Sequence, residues 1–261
     1  MRHGQNWPER LWLVRHGQSQ GNVARDLANE LGHPVIKLDI RDVDVPLSEL
    51  GHAQAEATGR WFAAMPEDER PEVILASPYT RARQTAEAIC KAGGLAGGGA
   101  SGNQRPTIID ERLREREFGM FDGLTTLGIK ERFPDEAAHR AKMGKFYHRA
   151  PGGESWADVI LRLRSALNTI NLHYADRRVV VVCHQVVVLC MRYILEELTE
   201  GQILAVDKQE KMLNCGVCAF DFEPDPSGIC VPRLALWNYG APMEAEGTPQ
   251  TAEPEMMTGS R

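Results

Sequence analysis

Two short apolar runs, far apart in the chain, each end in a histidine. Leu11-Trp12-Leu13-Val14 leads into Arg15-His16-Gly17, and the β-branched run from Val179 to Cys183 leads into His184-Gln185. A run of this length, apolar at every position and closed by a polar residue or glycine, reads as a strand buried on both faces. Such strands belong to parallel sheets covered by helices on each side. Ligands of these sheets bind beyond the carboxyl ends of the strands, so both histidines fall at the edge where chemistry is expected.

The segments between the two runs support this reading. Ser48 is an N-cap candidate, and Leu50, Ala53, Ala57, Trp61 and Phe62 follow at helical spacing, which predicts a helix from about Ser48 to Ala64. Val73 to Ala76 is a further buried strand, and Ser77-Pro78 opens a helix through about Cys90. A strand is expected at Thr107 to Asp110. Helices follow at Thr125 to Phe133, Asp135 to Phe146 and Ser155 to Tyr174, with late strands at Val217 to Phe222 and Val231 to Trp237. The alternation predicts an α/β three-layer sandwich, its central sheet mostly parallel and its helices on both faces. Residues 1–239 form one domain in this reading. Within it, 93–103 (GGLAGGGASGN) is a glycine-rich surface loop and 125–149 a helical insertion over the site. Residues 240–261, short of aliphatic side chains and rich in Pro, Glu, Thr and Gly, are expected to be a disordered tail.

Composition narrows the class of partner. Thirty Lys+Arg against 36 Asp+Glu give a net charge of −6, which disfavours broad electrostatic binding to nucleic acid or an acidic membrane. The N-terminal MRHGQNWPERLWLV lacks the apolar core of a signal peptide, and the most apolar stretch, Val179 to Met191, is interrupted by His184 and Gln185. Six cysteines without the dense spacing of a disulfide framework fit free thiols in the cytoplasm. Cys215-Gly216-Val217-Cys218 has redox-motif spacing but enters a strand rather than a helix N-terminus, so both are taken as structural thiols.

Four segments place a cationic, imidazole or acidic group just past a predicted strand: LVRHGQSQGN, ILASPYTRARQTAEAI, DERLREREFG and VVVVCHQ. His16, His184, Arg15 and Arg81 at one sheet edge would form a compact cationic pocket suited in charge and geometry to a phosphoryl group. Glu115 is the odd member. A single acid among such cations suits protonation of a departing oxygen, with Glu117 as its rival in the Arg-Glu alternation.

These motifs resemble the histidine phosphatase superfamily, the phosphoglycerate-mutase-like proteins, over roughly Leu11 to Trp237. The resemblance implies His16 as the residue phosphorylated, Arg15, Asn22 and Arg81 as phosphate contacts, Glu115 as proton donor, and His184 with Gln185 as the second-histidine segment. It implies a metal-independent phosphatase acting on phosphomonoesters, with no cofactor; the charge of the insertion after Glu115 adds the expectation that these are small anionic metabolites. A mutase is the nearest rival, although VARDLANELGHPV after Asn22 departs from the mutase pattern. Cys183-His184-Gln185 and Pro151 to Ser155 resemble the fructose-2,6-bisphosphatase branch, where Lys145 would be a substrate contact; its arginine five residues past the second histidine is here Leu189. A non-catalytic phosphate-binding or interaction module would be expected to have lost a core residue, and none is missing.

Other features have ordinary readings. Arg2-His3-Gly4-Gln5 repeats the tetrapeptide at Arg15 without a preceding strand and is taken as a frayed terminus, and Arg83 as a solvated charge. His139, Lys142, Lys145, His148 and Arg149 form a basic patch in the insertion, either a solvated helix face or, for Lys145 above all, a contact for a second substrate anion. The sequence leaves the substrate and any homo-oligomer open.

Overall fold

The computed structural model describes residues 7–95 and 107–252. The N-terminal His3 and residues 96–103 of the glycine-rich loop lie outside them.

Strand β1 (Arg10–Arg15) is followed by helices α1 (Gln20–Glu30) and α2 (Glu49–Ala63), then β2 (Val73–Ala76), α3 (Thr80–Gly93) and the short β3 (Ile108–Ile109). Helices α4 (Thr126–Arg132), α5 (Pro134–Met143) and α6 (Trp156–His173) lead to β4 (Arg178–Cys183) and α7 (Gln185–Leu195). Helix α8 (Glu200–Gln209), strands β5 (Val217–Pro224) and β6 (Cys230–Tyr239), and the short α9 (Ala241–Ala245) complete the chain. The sheet order is β3-β2-β4-β1-β5-β6, with β3, β2, β4 and β1 parallel and β5 and β6 antiparallel. The fold is therefore the expected α/β sandwich.

The uniformly apolar central strands are explained by two-sided burial. Leu11, Leu13, Val179, Val181 and Cys183 pack with Trp156, Val159 and Leu163 of α6 and Val187 of α7. Trp12, Val14, Val180 and Val182 face the other way, against Phe62 of α2 and Ala82, Ala86 and Ile89 of α3. Each such side chain removed from water contributes about 1.5–3 kcal/mol, so the middle of the sheet is the most firmly held part of the molecule. Its carboxyl edge inherits that rigidity.

One expectation needs correction. Residues 240–252 are not a loose tail: Met243 is fully buried, and Gln54 Nε2 donates to Pro249 O at 2.9 Å and to Thr251 Oγ1 at 3.0 Å. Composition missed this because a single core side chain, Met243, together with backbone and amide hydrogen bonds anchors the segment without an apolar stripe. Residues 253–261 lie outside the described part. Among the described residues no helix is long and apolar enough to cross a membrane.

Candidate active site

Strands β1 and β4 pair in register, Arg15 opposite Cys183, and the His16 N–H donates to Cys183 O at 2.9 Å. The pairing fixes the next residue on each strand side by side. The imidazoles of His16 and His184 stand 5.2 Å apart, edge to face at 62°. Gly17 is required at the turn that follows, because a Cβ there would lie 2.4 Å from Gly51 O. The chain thus leaves β1 pressed against the start of α2.

His16 is 3% exposed, and its Nδ1 lies 2.7 Å from Gly17 O. A carbonyl only accepts, so Nδ1 carries the proton and the lone pair is on Nε2. Burial first, then the nearby guanidiniums of Arg81 and Arg15, hold the His16 pKa well below the ordinary histidine value. The ring is neutral at pH 7, the form a nucleophile needs.

A cleft of about 580 Å³, its open mouth included, lies over this ring. Arg15, Arg25, Arg81, Asn22, Glu115, Phe118 and Gln185 line it, with Asp42 and Asp122 at its acidic side. The N-terminus of α7 opens onto the cleft at Gln185 and Val186, and its N-cap, His184, makes no side-chain capping bond. First-turn N–H groups and the helix dipole therefore add to the positive field. Arg81, in the first turn of α3, is 5% exposed; its Nη1 and Nη2 reach Asp42 Oδ1 and Oδ2 at 3.0 and 3.2 Å. Asp42 thus occupies the guanidinium fork with the bidentate geometry a phosphate would use.

Glu115 is separated from its rival by position. Its carboxyl lines the cleft, with Oε2 3.6 Å from His184 Nδ1 and Oε1 accepting from Arg116 N at 2.8 Å. Arg162 of α6 holds the Glu115 carbonyl at 3.2 Å and the Glu154 carboxylate at 2.9 Å. Glu117 lies off the cleft wall, its Oε1 accepting from Tyr79 OH at 3.2 Å. His184 is fully buried behind Glu115 and His16, and its Nε2 is 2.8 Å from Ser77 Oγ. When Ser77 donates there, the proton of the neutral ring sits on Nδ1, facing Glu115. Burial and Arg81 depress the His184 pKa strongly as well.

Asn22 both lines the cleft and builds it. Its Oδ1 accepts from Ser19 N at 2.8 Å while Ser19 Oγ accepts from Asn22 N at 3.1 Å, a capping box that starts α1.

Lys145 does not join this group. Its Nζ is 2.5 Å from Asp207 of α8 and 5.1 Å from the centre of the Trp156 ring, and it is not part of the cleft wall. The expectation of a substrate contact is corrected: the ammonium is held by an acid far along the chain. Arg25, Asp42 and Asp122 were missed. Only Arg25 carries a sequence signal, being three residues after Asn22 on one helix.

A family model described as histidine phosphatase superfamily (branch 1) matches residues 11–231. The chain belongs to the histidine phosphatase superfamily. The chain is 30% identical over 232 residues to the phosphoglycerate mutase-like protein AT74H of Arabidopsis thaliana, covering 82% of this chain and 73% of that protein. It is also 30% identical over 188 residues to a 6-phosphofructo-2-kinase/fructose-2,6-bisphosphatase of Caenorhabditis elegans, covering 70% of the chain but only 33% of the worm protein. Among solved structures, a mycobacterial glucosyl-3-phosphoglycerate phosphatase with VO3 superposes with a TM-score of 0.64 at 27% identity, covering 88% and 99% of the two chains. The superfamily contains both phosphatases and mutases.

Proposed function

We propose that the chain is a metal-independent phosphomonoesterase acting through a phosphohistidine at His16. The observation that carries this reading is the His16 ring, buried and neutral, with Nδ1 tied to Gly17 O so that Nε2 is the atom able to attack. In the first half-reaction Nε2 bonds to phosphorus as the bond to the ester oxygen breaks. Glu115, in its acid form, gives its proton to that oxygen. Arg15 and Arg81, with the α7 N-terminus, balance charge on the remaining phosphoryl oxygens, Arg81 exchanging Asp42 for phosphate. In the second half, Glu115 takes a proton from water as water attacks phosphorus and the P–N bond breaks. His184 orders the pair by standing against both His16 and Glu115.

The substrate proposed is a small phosphorylated metabolite bearing a second anion, received by Arg25. The mycobacterial neighbour, by its name, acts on glucosyl-3-phosphoglycerate, a phosphorylated acid, which supports this class. Six free thiols, five of them buried, support a cytoplasmic setting.

Brief incubation with a 32P-labelled sugar phosphate or phosphoglycerate tests the reading. The expected result is acid-labile label on His16, release of inorganic phosphate in preference to transfer within the substrate, and a loss of ~10³-fold or more in kcat for His16→Ala. Unchanged labelling in that variant would refute the assignment, and transfer without release would make the protein a mutase.

A further inference from the structure

We propose that Glu136, His139 and His148 form a binding site for a divalent transition-metal ion of the zinc class, clamping α5 to the turn that follows it. Glu136 and His139 are three residues apart on α5, so they share one face of the helix. The chain leaves α5 at Gly144, whose φ of +80 turns it back, and the His148 N–H donates to Gly144 O at 3.0 Å. This return places the His148 ring over the same helix face. One oxygen or nitrogen from each of the three side chains lies within 4.8 Å of the other two, the one such group among the described residues.

The three ligands differ in freedom, and that difference is what a metal site needs. His148 is 3% exposed, and its ring stacks on Phe121 at 6.0 Å with an interplanar angle of 6°. Its Nε2 faces Glu136 Oε2 at 3.6 Å, beyond hydrogen-bond reach, so a buried imidazole nitrogen stands without a hydrogen-bond acceptor or donor. Glu136 and His139 lie nearer to solvent and can move. Tetrahedral zinc sets its ligand atoms about 3.3 Å apart, given metal–ligand distances near 2.0–2.1 Å. Small rotations of the two outer side chains toward a fixed His148 meet that spacing, and water takes the remaining position.

The charges are compatible with a cation. Arg140 sets a positive charge against the site, and the Glu136 carboxylate offsets it. Two imidazoles and one carboxylate favour zinc-type ions over magnesium or calcium. The ring that supports His148, Phe121, lies between Phe118 and Asp122, which line the active-site cleft. The ion would stiffen the wall of that cleft without touching the reacting phosphate.

Untagged protein, freed of metal with chelator, tests the site by titration with Co2+ followed by visible absorption, and by competition with Zn2+. We expect one Co2+ per chain, displaced by Zn2+, and a rise in Tm of roughly 5 °C at a hundredfold excess over Kd. His139→Ala, at an exposed position whose ring meets His148 edge to face at 5.6 Å, should weaken binding at least tenfold and abolish the Zn2+-induced rise measured against the variant's own metal-free Tm; Glu136→Gln should do the same. Absence of stoichiometric Co2+ binding would overturn the proposal. So would binding of equal strength in His139→Ala, which would move the ion to other ligands such as His16 and His184. These readouts do not depend on catalysis.

Discussion

Asn214 Nδ2 donates to the carbonyl oxygen of His16 at 3.1 Å, while Asn214 Oδ1 accepts from Thr251 Oγ1 at 2.9 Å. The backbone of the proposed nucleophile is therefore tied, through one buried amide, to the segment that follows α9. Asn214→Ala removes one of two donors to the His16 carbonyl, the other being Cys215 N at 3.3 Å, and leaves the Thr251 hydroxyl proton without its acceptor, at a cost of about 1–3 kcal/mol. The expected result is a Tm lower by several degrees together with a fall in kcat of about tenfold, because the His16 turn loses its brace. Thr251→Val should reproduce the stability loss in part with a smaller effect on kcat. Thermal melts and steady-state kinetics on the two variants check this ordering.

Glu115 and Glu117 are distinguished by leaving-group dependence. Glu115→Gln removes the proton needed by an alkyl alcohol, so sugar-phosphate hydrolysis should fall ~10²–10⁴-fold, while nitrophenyl-phosphate hydrolysis falls much less. Glu117→Gln, which alters the Tyr79 and Arg114 contacts off the cleft, should change both rates less than about threefold. Parallel kcat/KM measurements on the two substrates decide the assignment.

Both site histidines have folded-state pKa values well below the ordinary value of 6.5. The unfolded chain then binds more protons than the folded one between that value and the lower folded values. Stability held above about pH 6.5 should fall as pH drops through that window, by up to about 1.4 kcal/mol per pH unit for each histidine, and level off once the folded rings also protonate. Denaturant titrations from pH 7.5 to 5 check the slope, and His16→Gln should reduce it. The acid limb of kcat/KM should likewise lie below the normal histidine range.

Arg25 and Lys145 exchange the roles that charge alone would assign. Arg25→Ala should raise KM for substrates with a second anion by about tenfold and leave phenyl phosphate nearly unaffected, since only the former reaches a second cation. Lys145→Ala should leave both KM values within about twofold but lower Tm, through loss of its contacts to Asp207 and Trp156. A matched pair of KM measurements for each variant tests the reversal.

The strands that carry His16 and His184 were legible because burial on both faces demands unbroken apolar runs, and β1, β2 and β4 stand where those runs predict. Helix α7 was not, since its Val186-Val187-Val188 run has strand composition; it is a helix in which every residue from Gln185 to Met191 is buried. Helix α1 has little apolar content, and its start is marked only by the Ser19–Asn22 capping box. In the site, His16, Arg81 and Glu115 could be read from strand ends and motif spacing. Asp42 and Asp122 could not, because loop geometry alone brings them to the cleft. Lys145 shows the converse: its charge was legible, but its direction is set by Asp207, 62 residues later.

Strand β1 lies between β4 and β5, both of which come far later in the chain. A growing polypeptide that has reached only α3 holds His16 as an ordinary solvated imidazole, with no neighbouring strand to aim it and no buried guanidinium field to keep it neutral. Reactivity of this histidine is in that sense a property of the closed sheet, acquired late in folding. During refolding from denaturant, competence for phosphoryl transfer should appear with the slowest packing of the core rather than with early helix formation, so the labelling reaction itself times the last step of assembly.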